Sequence, residues 1–236
     1  MSYIKLQIKS GKIMTSLQES KAARVSTLCA LYFAQGFPWG FMTTALLAFL
    51  AKKGLSVEDS GYLISMAVLP WTFKLFWAPL IDTFNFPAMG RRRPWIILSE
   101  VMMALTLVCM AFSGDIINKL NTLAWMFFLH NCFASLQDVC TDALAVDILS
   151  DEERGKVNGF MWGSKIIGVG FGGSIMGTML VYTSLNITIL FQTMLILGVM
   201  IFPLLFRERK GEKLFPWTDG KTMINGQVNV VRNPVS

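Results

Sequence analysis

Two aspartates four residues apart, Asp138 and Asp142, lie within an otherwise apolar stretch, with Gln137 just before the first. On a helix that spacing puts both carboxylates on one face. Two carboxylates this close in a low-dielectric setting do not both ionise freely unless a cation compensates. Two cations, Lys74 and Lys165, also interrupt apolar stretches. Such a group of acids and lysines suits binding and releasing a proton, which makes Asp138 and Asp142 proton-coupling candidates. Buried ion pairs that only orient helices are the other reading, and both stay open. No nucleophile–base pair stands out, so an enzyme is not expected, and no cofactor is implied. His130 is the single histidine, read as an interfacial residue, and Cys132 at i+2 falls on another face, so no metal site is expected. Gly168, Gly170 and Gly173 satisfy GxGxxG. The dinucleotide motif needs a strand before it; here it lies inside an apolar helix.

The elements that position these residues follow from composition. Of 236 residues 53% are hydrophobic and 15% charged, and the mean hydropathy is +0.52. Fifteen of the 36 charges fall in the first 24 and last 30 residues. A soluble surface needs roughly a quarter of its residues charged, so soluble domains are excluded, as are disorder and a disulfide scaffold. The sequence predicts an all-α membrane protein: a basic tail at 1–24, a six-helix bundle at 25–206 and a second basic tail at 207–236. The spans are about 25–50, 61–82, 94–113, 123–149, 157–182 and 186–206. Five are read as long and apolar enough to cross a bilayer, and 61–82 joins them with Lys74 inside it. Loops this short force helices, because an isolated sheet leaves unpaired edges in lipid.

With the N-terminus inside, inner segments hold sixteen Lys and Arg and outer loops three. The positive-inside rule then puts both termini in the cytoplasm, and no removable signal peptide is read. The basic tails point to the anionic leaflet of the bilayer as a partner; nothing points to nucleic acid. On this topology Lys74, Glu100, Asp138, Asp142 and Lys165 share a layer roughly 9–17 Å above the cytoplasmic ends, at ~1.5 Å per residue. Glu100, near its helix end, can also snorkel to the headgroups. Gln35-Gly36-Phe37-Pro38 places a kink at mid-depth of the first span. Gly159/Gly163, Gly168/Gly172 and Gly173/Gly177 predict close approach of another helix.

The loop between the second and third spans carries the most specific pattern: Asp82 ends one helix and Gly90-Arg91-Arg92-Arg93 opens the next. It resembles the loop signature of major facilitator transporters. Ala78 replaces the leading glycine of that signature, and the gap from acid to arginines is longer. Both departures resemble the AmpG-type muropeptide permeases and the related acetyl-CoA transporter family. The blocks LYFAQGFPWG (31–40), FKLFWAPLID (73–82), GRRRPW (90–95), QDVCTDALAVDIL (137–149), ERG (153–155) and GSKIIG (163–168) are similar in order. GEKLFPWTDG (211–220) resembles a central loop. The Lys165 position is usually Arg in that family, and the Glu100 position often Gln.

The resemblance implies the N-terminal half of a secondary transporter working by alternating access. The solute is expected to be anionic and cell-wall-derived, such as an anhydro-muropeptide, imported with protons across a bacterial inner membrane. Lys74, Lys165, Gln137 and Gln35 are its substrate-binding candidates. Asp82, Arg91, Arg92, Arg93 and Asp147 are the cytoplasmic gate that the resemblance implies. A nucleotide-type solute such as acetyl-CoA suits the lysines equally, and a non-transporting membrane subunit is the alternative from another class. A second six-helix half, or a second copy of the chain, is the expected protein partner.

Overall fold

The computed structural model describes residues 16–84, 86, 88–114, 119–209, 211–213, 222–224 and 227–229. The expectations for 1–15, within the basic N-tail, and for 214–220, within the central-loop block, lie outside the described residues. Helix α1 (Lys21–Gly40) passes through a π-helical turn (Phe41–Leu46) into α2 (Leu47–Lys52). Helix α3 (Val57–Thr72) passes through a 3-10 turn (Lys74–Phe76) into α4 (Trp77–Thr83). Then follow α5 (Arg93–Phe112), α6 (Leu120–Ile148), α7 (Asp151–Tyr182) and α8 (Leu185–Leu205). In the tail, β1 (Thr222–Ile224) pairs antiparallel with β2 (Gln227–Asn229), Met223 opposite Val228.

Helix ends follow local chemistry. The hydroxyls of Ser20, Ser56 and Ser184 accept from the backbone N–H three residues on, at 3.3, 3.0 and 3.3 Å. Each satisfies a donor that a helix N-terminus leaves unpaired. Acids fill the first turns of α3 (Glu58, Asp59) and α7 (Asp151, Glu152, Glu153), where the helix dipole favours them.

Two backbone irregularities differ from the sequence expectation. The helix runs on through Pro38 to Gly40, and the disturbance comes one turn later as the π-helical segment. The second span, expected to be continuous over 61–82, breaks at Phe73 (φ −91°, ψ 5°). Pro79 lies just beyond; its ring is incompatible with a regular turn over Leu75. The break makes Lys74 the first residue of a 3-10 turn.

Among the described residues five helical segments are long and apolar enough to cross a membrane: Lys21–Lys52, Val57–Thr83, Arg93–Phe112, Asp151–Tyr182 and Leu185–Leu205. The 29-residue α6 is long enough but, against the expectation for 123–149, is not apolar enough. It buries His130, Asn131, Ser135, Gln137, Asp138 and Thr141 against its neighbours, while Trp125, Leu129 and Val146 remain exposed on its other side.

α1 packs along α7, α3 against α6, and α5 against both α6 and α8. Glycines set the α1–α7 distance. A Cβ on Gly36 would stand 2.2 Å from the Lys165 carbonyl, and one on Gly172 2.0 Å from the Phe37 carbonyl. Gly168/Gly172 thus do what the sequence predicted, Gly168 against Gly36 and Gly172 against Phe37. Gly159 and Gly163 do not: nothing lies within 4 Å of a Cβ there. Only 17% of the most apolar window of Val57–Thr83 and 22% of that of Asp151–Tyr182 are buried, against 61% for Lys21–Lys52. The segments α3/α4 and α7 are therefore the least covered of the five.

Candidate functional site

The break in the second span delivers the Lys74 ammonium to α6, where it donates to the Asp138 carboxylate and lies 3.7 Å from that of Asp142. Lys165, from α7, reaches the other Asp138 oxygen at 3.5 Å. Tyr32, from α1, donates its hydroxyl to Asp142. Four helical segments thus converge on two carboxylates and two ammonium groups. Asp138 is nearly enclosed, its side chain 4% exposed, whereas the Asp142 side chain is 44% exposed. The Lys165 ammonium also faces the rings of Trp71, Trp162 and Tyr32 at 4.8, 5.2 and 5.5 Å. Cation–π attraction partly replaces the water that burial removes.

These groups line a cavity of about 400 Å³, which also takes in Arg154 and Asn158 of α7. Gln35 and Gln137 do not line it. The Gln35 amide donates to the Gln137 side-chain oxygen at 2.6 Å, and Gln137 donates to the Leu31 carbonyl at 3.3 Å and to Glu100 at 3.5 Å. All three polar side chains are buried, Glu100 completely, so it does not snorkel. Its Oε2 and the Gln35 Oε1 have no partner among the described residues. His130 is likewise buried, not interfacial, with Nδ1 3.0 Å from the Thr106 hydroxyl.

A second cluster occupies the arginine end of the bundle. Arg92 bridges Asp82 at 2.7 Å and Asp147 at 3.2 Å, and Arg91 reaches Asp82 at 3.0 Å. Arg93 is not among them. Its guanidinium donates to the carbonyls of Pro203 and of Leu204 (2.9 Å), closing the end of α8, and to that of Lys213 at 3.0 Å. The Glu208 carboxylate accepts from the backbone N–H of Arg91 (2.9 Å), Arg92 (2.7 Å) and Arg93, closing the start of α5. Burial pushes the Glu208 carboxyl above the usual range, while those three donors pull it down. Burial, with Glu208 nearby, holds the Glu212 carboxyl up to about 7.

Sequence reading therefore found the four charges and missed Tyr32, Trp71, Trp162, Arg154 and Glu208. Tyr32 and Trp162 each stand three residues before a polar residue already singled out, Gln35 and Lys165, so helical periodicity held a signal for both. Glu208 had none, because its partners lie 115 to 117 residues away.

Comparison with known proteins agrees with this architecture. The chain is 31% identical over 136 residues to the anhydromuropeptide permease of Escherichia coli (strain K12), covering 56% of this chain and 26% of the relative. It is 34% identical over 144 residues to an uncharacterized protein of Haemophilus influenzae, covering 61% and 33%. It is 28% identical over 160 residues to the putative transporter AmpG 4 of Rickettsia conorii, covering 64% and 38%. The chain spans about a quarter to two fifths of the length of these curated relatives. The model of the Major Facilitator Superfamily matches residues 28–232, so the all-α membrane bundle described above, of the kind that makes up half of such a transporter, belongs to that superfamily.

Proposed function

We propose that the chain forms one six-helix half of a proton-coupled secondary transporter. It would import an anionic, cell-wall-derived solute such as an anhydro-muropeptide by alternating access. The observation that carries this is the cluster of Lys74, Asp138, Asp142 and Lys165 in one cavity. With both acids ionised its charges balance, so it attracts an anion only weakly. One proton on Asp142, the more exposed acid, leaves a net positive charge, and an anion then binds more tightly. Proton and solute thereby favour each other's binding, and that coupling is reciprocal.

The membrane orientation belongs to the same proposal. Sixteen inner against three outer Lys and Arg support cytoplasmic termini, and we place the chain in a bacterial inner membrane. The arginine end then faces the cytoplasm, where Asp82, Arg91, Arg92 and Asp147 act as a gate. Arg93 supports it by fixing α8. The sparse cover of α3/α4 and α7 supports a second six-helix body, or a second copy of the chain, as the partner that closes the cavity.

The test is uptake of labelled anhydro-muropeptide into vesicles bearing the chain, with and without an imposed proton gradient. Gradient-driven accumulation supports the proposal. Accumulation of acetyl-CoA alone would move the solute to the nucleotide class. Transport by a monodisperse monomer would overturn the half-transporter reading.

A further inference from the structure

We infer that Arg154 and Asn158 form an outer anion subsite of the same cavity, so that it takes an elongated solute carrying an anionic group about 16 Å from Lys165, at ~1.5 Å per residue along α7. The inference rests on the transport reading above. Arg154, Asn158, Trp162 and Lys165 all line the cavity. Their offsets of 4, 8 and 11 residues hold them within an arc of about 80° on one helix face.

The inner end of the cavity has little charge to offer a resting anion. Lys74 is tied to Asp138 and near Asp142, and Lys165 is shared between Asp138 and three aromatic rings. Arg154 differs. Its Nη2 donates to the Val146 carbonyl at 3.1 Å, and its buried Nε has no partner among the described residues. Its one carboxylate partner among them, Asp151 at 2.5 Å, is 89% exposed, so water screens the pair and a ligand anion can displace it. Asn158 is exposed, and its side chain makes no hydrogen bond among the described residues. A guanidinium fork beside a free amide matches a carboxylate or a phosphate. Between the two ends the Trp162 ring, edge-to-face with Tyr32 at 6.3 Å, offers a surface for a sugar or base.

The test measures binding to the full chain in nanodiscs, with two probe pairs. One is an anhydro-muropeptide and its form with every peptide carboxylate amidated. The other is acetyl-CoA and phosphate-free acetyl-pantetheine. Arg154→Gln is expected to weaken the charged member of a pair by roughly tenfold and to leave its neutral counterpart unchanged. Arg154→Lys should restore only part of the affinity, because a point charge lacks the fork, and Asp151→Asn should raise it by freeing the guanidinium. The pair that responds tells carboxylate from phosphate. If Arg154→Gln weakens both members equally, or neither, the subsite is overturned while the transport reading stands. If the wild-type chain binds none of the four probes, the transport reading falls, and this inference with it. Monodisperse elution of each variant separates lost binding from lost folding.

Discussion

Arg93 and Glu208 close each other's helices. The Glu208 carboxylate accepts from the first N–H groups of α5, the helix Arg93 opens, and the Arg93 guanidinium takes the last carbonyls of α8, the helix before Glu208. Both side chains are buried, at 1% and 2% exposure. Glu208→Ala leaves three donors of a helix start unpaired, which should cost about 1–3 kcal/mol. Thermal unfolding in detergent should show a lowered midpoint; an unchanged midpoint would mean that water replaces the carboxylate.

The same corner should loosen as pH rises. The Glu212 carboxyl is held up to about 7, from an ordinary 4.5, by burial and by Glu208 nearby. A raised folded-state value means that its contribution is fully present below pH 4.5 and is lost as pH rises through about 7. Hydrogen exchange at Met89 to Arg93, corrected for intrinsic rates, should lose protection between pH 5 and 8. Glu212→Gln should flatten that dependence.

Glycines on α7 should divide sharply. Gly172→Ala drives a methyl to within 2.0 Å of the Phe37 carbonyl, and the α1–α7 contact must open. A loss of about 2–4 kcal/mol and a lower unfolding midpoint are expected. Gly159→Ala meets nothing within 4 Å and should be neutral, or stabilising by up to ~1 kcal/mol from helix propensity alone. Equal effects at the two sites would contradict the packing described.

Asp138 holds both Lys74 and Lys165, so Asp138→Asn removes the carboxylate that the two lysines share. Gradient-driven accumulation should be abolished, with counterflow exchange of solute affected less. Asp142→Asn should abolish accumulation or shift its pH optimum. Normal accumulation by both single variants would end the proton-coupling assignment.

At the arginine end, Arg92→Ala removes the side chain that joins Asp82 to Asp147. Turnover should fall more than affinity, since the ion pairs bias a conformational equilibrium rather than touch solute. Weakened binding at unchanged turnover would move these residues into the solute site.

The sequence by itself determined the helical membrane class and which residues are charged where apolar ones belong. Hydropathy, helix signals and four-residue spacing are local, so Asp138 and Asp142 on one face, and the Asp82–Arg92 pattern, were legible without coordinates. Only the tertiary structure decided partners. Whether Lys74 meets Asp138 depends on the break at Phe73, and whether Gln35 and Gln137 reach the cavity depends on how α1 and α6 rotate about their axes. Close glycine contacts to α7 fix that rotation for α1, and those glycines lie 132 residues apart at Gly36 and Gly168. Arg93 shows the limit most directly. In sequence it belongs with Arg91 and Arg92, but as the first residue of α5 it turns to α8, because a helix advances each side chain by about 100° and neighbours in sequence face different partners.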